Sequence, residues 1–216
     1  MLGWINYILL TLTLAFIVWL HISMMMGRKK NNSKKISDIA YEESEANFAR
    51  KKPLPDDFYF QPDISDLPVK DYADPKCKAA VKQARVLKLV NAKMIRLPSS
   101  MTNLEIKMDY GVANLETVTN GEEVYQGFLE ALLSWAGVLS DNGDNEDAKK
   151  ILEKAIELGC DISRCFISLA KLYLADCNKN SIEKLIKQLE SGEIMSENEA
   201  VRNKTIAEIK KMYDNI

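Results

Sequence analysis

Seven apolar positions in the C-terminal half of the chain recur after 34 residues. A period of about 34 residues that combines two helices is typical of stacked helical hairpins. Each hairpin in such an array buries its apolar face only against its neighbours. The pattern therefore predicts an all-α fold with two repeats and a final helix in residues 121–216. The seven pairs are Leu132 with Phe166, Trp135 with Leu169, Ala136 with Ala170, Leu139 with Tyr173, Ala148 with Ile182, Leu152 with Ile186, and Ala155 with Leu189.

The first unit holds two apolar stripes with helical spacing, 132–139 and 148–155. Gly143 and Asp144 lie between them, where we expect a turn, and the Asp144 side chain is expected to cap the second helix. This arrangement resembles the tetratricopeptide repeat, whose first helix carries an aromatic, a Leu, a small residue and a Tyr. In the first unit Ala136, Ala148 and Ala155 match the family. At the places of its aromatic, Leu and Tyr stand Leu132, Trp135 and Leu139, and in the second unit Phe166, Leu169, Ala170 and Tyr173 match.

The resemblance covers about residues 129–195 and implies an α-solenoid that holds other proteins. Ile182 and Leu189 are large where the family has Ala. A non-repeat helical bundle is the alternative. Since about three repeats are normally needed to close a core, we expect an irregular helical hairpin at 76–120, built from helices at 76–97 and 100–118. Ser196 and Glu199 predict a capping box that opens a final helix.

Residues 2–26 contain no charged side chain, and about 20 apolar residues suffice to cross a bilayer as a helix. Residues 1–27 are therefore predicted to be a transmembrane anchor in contact with the lipid bilayer; a cleaved signal peptide is the competing interpretation. Five basic residues follow between Arg28 and Lys35. The positive-inside rule then places the N-terminus outside and the C-terminal domain in the cytoplasm.

Residues 28–75 are predicted to be a basic juxtamembrane segment followed by a linker rich in proline and aromatic residues. The apolar side chains of the linker (residues 53–75) favour packing against the chain's own helical domain. A docking motif for a partner is the alternative.

Beyond the linker, Lys76–Leu97 contains seven basic residues and no acidic one. A core-facing helix with a solvated basic side is the first interpretation, and a surface for an acidic partner or anionic lipid is the second. This basic patch comprises Lys78, Lys82, Arg85, Lys88, Lys93 and Arg96.

Composition argues against several functions. The chain has 29 basic and 31 acidic residues, so a nucleic-acid partner is not expected. His21 is the only histidine, which removes Ser–His, Cys–His and HExxH chemistry from the rest of the chain. We expect no enzyme activity, no cofactor and no metal, and we expect the four cysteines to be reduced and mostly buried.

The first helix of each hairpin lines the concave side of a repeat array, which predicts a protein-binding groove. The predicted groove residues are Leu133, Gly137, Arg164, Ile167, Lys171 and Leu174. The leading functional hypothesis is a membrane-anchored scaffold that presents this groove to a cytoplasmic protein or peptide. The alternatives are a permanent accessory subunit of a membrane protein complex and a receptor for targeting peptides.

Overall fold

The computed structural model describes residues 16–19, 38–98, 101–196 and 198–214, and these are mostly helical. By contacts the chain divides into two compact units, Met1–Lys52 with Thr102–Asn114, and Pro53–Met101 with Leu115–Ile216. The labelled helices are α1 (38–47), α2 (Lys78–Val90), α3 (Asn103–Tyr110), α4 (Leu115–Asp141), α5 (Asn145–Glu157), α6 (Ser163–Ala175), α7 (Lys179–Ser191) and α8 (Glu199–Tyr213). Short 3₁₀ turns occupy Asp56–Phe58 and Val112–Asn114.

The smaller unit contains α1 and α3. A capping box starts α3: the Thr102 hydroxyl accepts from the Glu105 N–H at 3.3 Å, and the Thr102 N–H donates to the Glu105 carboxylate at 2.7 Å. The buried Asn114 amide donates to the carbonyl oxygens of Lys52 at 2.6 Å and Tyr110 at 2.8 Å. These bonds tie the end of the Met1–Lys52 stretch to the C-terminal end of α3.

The larger unit, which we call the helical unit, is organised around α4. Helices α2 and α5 both pack on α4, α6 packs on α5, and α8 packs on α6 and α7. Apolar residues three and four apart face the core because that spacing keeps them on one side of a helix. On α4 this buried stripe includes Phe128, Leu129, Leu132, Trp135, Ala136 and Leu139.

Helix boundaries in this unit repeat with the same period as the sequence. Helix α4 ends at Asp141 and α6 at Ala175, while α5 covers Asn145–Glu157 and α7 covers Lys179–Ser191. Both intervening turns use a positive φ, +87° at Gly143 and +55° at Cys177. Of the seven predicted pairs, every member is buried except Tyr173, which is half-buried. The period of 34 residues is thus a period of the structure as well.

Within the helical unit, the linker packs against the helices. The Phe60 N–H donates to the Met94 carbonyl at 2.8 Å, and Leu67 is buried in the core. The Gln83 side-chain amide on α2 accepts from the Lys70 N–H at 3.0 Å and donates to the Lys70 carbonyl at 2.8 Å. The linker is therefore attached by one backbone hydrogen bond and by a side-chain amide, and it buries apolar side chains.

The predicted transmembrane helix is contradicted by the structure. In the ranges that the structure describes, no helix combines the length and the apolar character needed to cross a membrane. The longest of them, α4, carries five carboxylates and buries its apolar face in the core. Of the predicted span 2–26 only 16–19 are described, and the rest lie outside the described residues. This finding overturns the predicted transmembrane helix and the single-pass localisation.

Four local predictions also differ from the structure. Helix α2 ends at Val90 rather than near Leu97. The predicted hairpin was expected to end at residue 120, but α4 begins at Leu115 and continues through that residue. Asp144 stands at the N-cap of α5 without a side-chain cap bond; its carboxylate instead lies 3.7 Å from the Lys70 ammonium. Helix α8 is capped by Asn198, which accepts from the Val201 N–H at 3.1 Å, and not by the predicted capping box of Ser196 and Glu199.

Candidate functional site

A groove of about 1150 Å³ opens in the helical unit where α5, α6 and α7 meet the turns that precede α6 and α8. Its apolar lining residues include Leu97, Tyr125, Ile156, Ile162, Leu169, Tyr173, Leu185, Ile194, Met195 and Val201. Its charged lining residues are Arg96, Glu153, Glu157, Asp161, Lys184 and Glu193.

One wall of the groove is fixed at the C-terminal end of α5. Tyr125 on α4 donates its hydroxyl to the Leu158 carbonyl at 2.8 Å, within the core. Gly159 follows with φ +93°, and a Cβ there would lie 2.5 Å from the Arg96 guanidinium. Only glycine permits both this backbone conformation and the close approach of Arg96. The guanidinium therefore lies against this turn at the edge of the groove.

A second wall contains a hydrogen bond between α6 and α5. Tyr173 donates its hydroxyl to the Glu153 carboxylate at 2.6 Å. Burial, together with this carboxylate, raises the pKa of Tyr173 well above its ordinary value. Both effects disfavour the phenolate, so the hydroxyl remains a donor at neutral pH.

The third side is the turn between α7 and α8. Met195 is buried with φ +52°. Arg202 donates to the carbonyl oxygens of Met195 at 3.1 Å and Ser196 at 3.3 Å. The Asn198 cap and these two bonds fix this side, from which Ile194, Met195, Ser196, Asn198 and Val201 line the groove.

The electrostatic character of the groove is acidic. Four carboxylates and two cations belong to the described lining residues. Two of the carboxylates have neighbours within the unit, Glu153 with the Tyr173 hydroxyl and Glu157 with the Lys154 ammonium at 3.1 Å. Glu193 lies on the exposed rim. A ligand that brings positive charge to this rim is favoured over one that brings negative charge.

The residues predicted to form the binding groove lie elsewhere. None of the six lines this groove, and Leu133 is buried in the core at 6% exposure. On α6, Arg164 and Lys171 are exposed, whereas the lining residues Leu169 and Tyr173 fall on the other side of the helix at 3.6 residues per turn. The remaining three are exposed at Gly137 and half-buried at Ile167 and Leu174.

The predicted basic patch is divided by the end of α2. Lys78, Lys82, Arg85 and Lys88 lie on the helix. Lys93 and Arg96 follow its end at Val90, so they do not continue its basic face. The Lys93 ammonium lies 4.9 Å from the centre of the Tyr59 ring, and Arg96 is part of the groove wall.

The fold and groove define an all-α helical unit with an acidic, partly apolar cleft. Compared with protein-family models, with curated proteins and with solved structures, the chain finds no match. The functional argument therefore rests on the groove itself.

Proposed function

We propose that the chain is a protein-binding protein whose helical unit holds a segment of a partner in the groove between α5, α6 and α7. The observation that carries this proposal is the groove of about 1150 Å³, which slightly exceeds the roughly 300–1,000 Å³ of small-molecule pockets. A peptide segment fits such a space. The proposal includes a tetratricopeptide-like arrangement of α4–α7, supported by helix boundaries that repeat after 34 residues and by the buried pairs at the same spacing.

The chemistry of the lining specifies the kind of peptide. Apolar side chains such as Ile162, Ile194 and Val201 offer contacts for apolar anchors, and aromatic rings are supplied by Tyr125 and Tyr173. The excess of carboxylates favours Lys or Arg between those anchors. The expected ligand is therefore an amphipathic segment with apolar residues and positive charge. An acidic group would instead suit the exposed Arg164 and Lys171, which lie outside this groove.

A peptide-display selection against the full chain tests this proposal. Selected peptides are expected to be enriched in Lys and Arg beside apolar residues. The best peptide is then titrated against the double variant Glu193→Lys/Val201→Trp, which reverses a rim charge and narrows the groove. A loss of at least about 1.4 kcal/mol, equivalent to tenfold in Kd, is expected.

Glu208→Lys provides the matched control, because Glu208 is exposed on α8 outside the lining residues. It makes a similar change in net charge and should leave the Kd unchanged. Selection of acidic peptides, or equal binding by both variants, would reject the groove as the binding site.

A further inference from the structure

The linker contacts a side chain that lines the groove. Phe60 packs edge-on against Tyr125, with 5.4 Å between the ring centres and 80° between the ring planes. Such an edge-to-face pair is favourable and fixes the orientation of both rings. Tyr125 lines the groove, and its hydroxyl holds the Leu158 carbonyl in the turn after α5. A contact made by the linker therefore helps to position this wall.

The same linker residue also holds the segment after α2. The Phe60 N–H donates to the Met94 carbonyl at 2.8 Å. Arg96 and Leu97 follow Met94 closely and line the groove, and Arg96 lies against Gly159 in the turn after α5. Phe60 is thus joined to two parts of the groove wall, one on α4 and one beyond the end of α2.

A weaker connection between linker and groove runs through Lys154. Its ammonium lies 3.1 Å from the carboxylate of Glu157, a lining residue, and 3.7 Å from that of Asp66 in the linker. The Asp66 side chain is 79% exposed, and an ion pair with so exposed a partner contributes little. The ring contact and the backbone hydrogen bond of Phe60 are therefore the stronger connection.

We infer that the docked linker holds this wall of the groove in its ligand-binding shape, with Phe60 as the positioning residue. Release of the linker takes a ring neighbour from Tyr125 and a hydrogen bond from the Met94 carbonyl, so the wall becomes less ordered. The apparent affinity for a ligand then falls with the fraction of chains in which the wall is formed. The inference rests on the peptide-binding function proposed for the groove, and it makes the linker a regulator of that function.

Hydrogen exchange of the full chain without ligand, followed by mass spectrometry, tests this coupling. The reporter amides are Leu158, Gly159 and Cys160, whose N–H groups each donate to a carbonyl of α5 at 2.9 Å. Local opening exposes such amides to exchange. Phe60→Ala should speed their exchange by at least about fivefold, the lower end of ordinary coupling between two sites. Exchange in α7 and α8 should not change.

Two control variants separate positioning from a general loss of stability. Val69→Ala, at an exposed position of the linker, should leave exchange at 158–160 unchanged. Phe60→Leu keeps the backbone N–H and an apolar side chain but lacks the ring, so its effect should be intermediate. Circular dichroism confirms that each variant is folded, and Phe60→Leu decides alone if Phe60→Ala is not. Unchanged exchange at 158–160, or an equal rise in α7 and α8, would overturn the inference.

Ligand binding gives the second measurement. The peptide selected against the unsubstituted chain should bind Phe60→Ala at least about fivefold more weakly, although Phe60 is not among the described lining residues. Because coupling between two sites is reciprocal, the same peptide should slow exchange of the Phe60 amide in the unsubstituted chain.

The two measurements distinguish failure of this inference from failure of the proposed function. Equal affinity of the peptide for both chains would overturn the inference and leave the proposed function intact. If no peptide binds the unsubstituted chain, the function proposed for the groove is rejected, and the exchange without ligand still decides whether the linker holds the wall.

Discussion

At the scale of single residues, Trp135 is the largest side chain buried completely in the helical unit. Its indole N–H has no hydrogen-bond partner among the described residues. Trp135→Ala should lower the free energy of unfolding by about 3–5 kcal/mol, because the lost contacts leave a cavity. Trp135→Phe should cost clearly less, since it retains a ring and removes a donor whose unsatisfied burial costs about 1–3 kcal/mol.

Urea unfolding followed by circular dichroism measures both variants at position 135. An equal loss for Ala and Phe would indicate that the indole N–H is satisfied in solution. An unchanged midpoint for Trp135→Ala would contradict its burial at the centre of the unit.

At the scale of elements, α4 contains glycines with opposite surroundings. A Cβ at Gly137 would meet nothing within 4 Å, whereas one at Gly121 would lie 2.6 Å from the Ile95 side chain. Gly137→Ala should stabilise the chain by roughly 0.5–1 kcal/mol, because Gly is costly inside a helix. Gly121→Ala should destabilise it by about 1–3 kcal/mol through overpacking. Thermal melts in one buffer should show midpoints that move in opposite directions.

The hydrogen bond between α6 and α5 predicts that the stability of the folded chain falls at high pH. The pKa of the Tyr173 hydroxyl, ordinarily 10.0, is raised in the folded chain by burial and by Glu153. Its stabilising contribution is complete below pH 10.0 and is lost as the pH rises towards the folded pKa, because the unfolded chain releases this proton first. Tyr173→Phe should therefore flatten the fall in melting temperature above that pH. The same slope in both chains would show that Tyr173 does not contribute.

The repeat helices could be predicted from the sequence, and other elements could not, for identifiable reasons. The 34-residue spacing located α4–α7 because each matched position is a core position in both hairpins. The end of α2 was missed because Met94 and Lys93 continue a helical pattern, while the structure pairs Met94 with Phe60 in extended backbone. Only Asn91 gave a stop signal, and the pairing partner is distant in sequence.

The position of the groove was outside the reach of the sequence pattern. Periodicity identifies the buried stripe of α6, but it does not show on which side of that helix the neighbouring elements form a groove. That choice depends on contacts between distant residues, such as Tyr125 with Leu158 and Arg96 with Gly159. Gly159 itself was a usable signal, since glycine after a helix often marks a left-handed turn.

At the scale of the whole helical unit, the linker is part of the folded structure. Leu67→Ala should cost about 2–5 kcal/mol, as expected for a buried leucine, because its side chain is 6% exposed within the core cluster. Val69→Ala, at a neighbouring position that is 48% exposed, should change stability by no more than about 0.5 kcal/mol. Urea midpoints of the full chain compare the two. Equal midpoints would place Leu67 outside the cooperative core.

The backbone pairing of the linker also determines how the chain carries mechanical load. A pull applied on the N-terminal side of the linker first loads the backbone hydrogen bond from Phe60 to Met94. It then reaches the buried Leu67, and finally the two hydrogen bonds between the Lys70 backbone and the Gln83 amide. These attachments are loaded one after another, as in peeling rather than shearing. We therefore expect a pull on the linker to release these attachments stepwise before it unfolds the core of α4–α7.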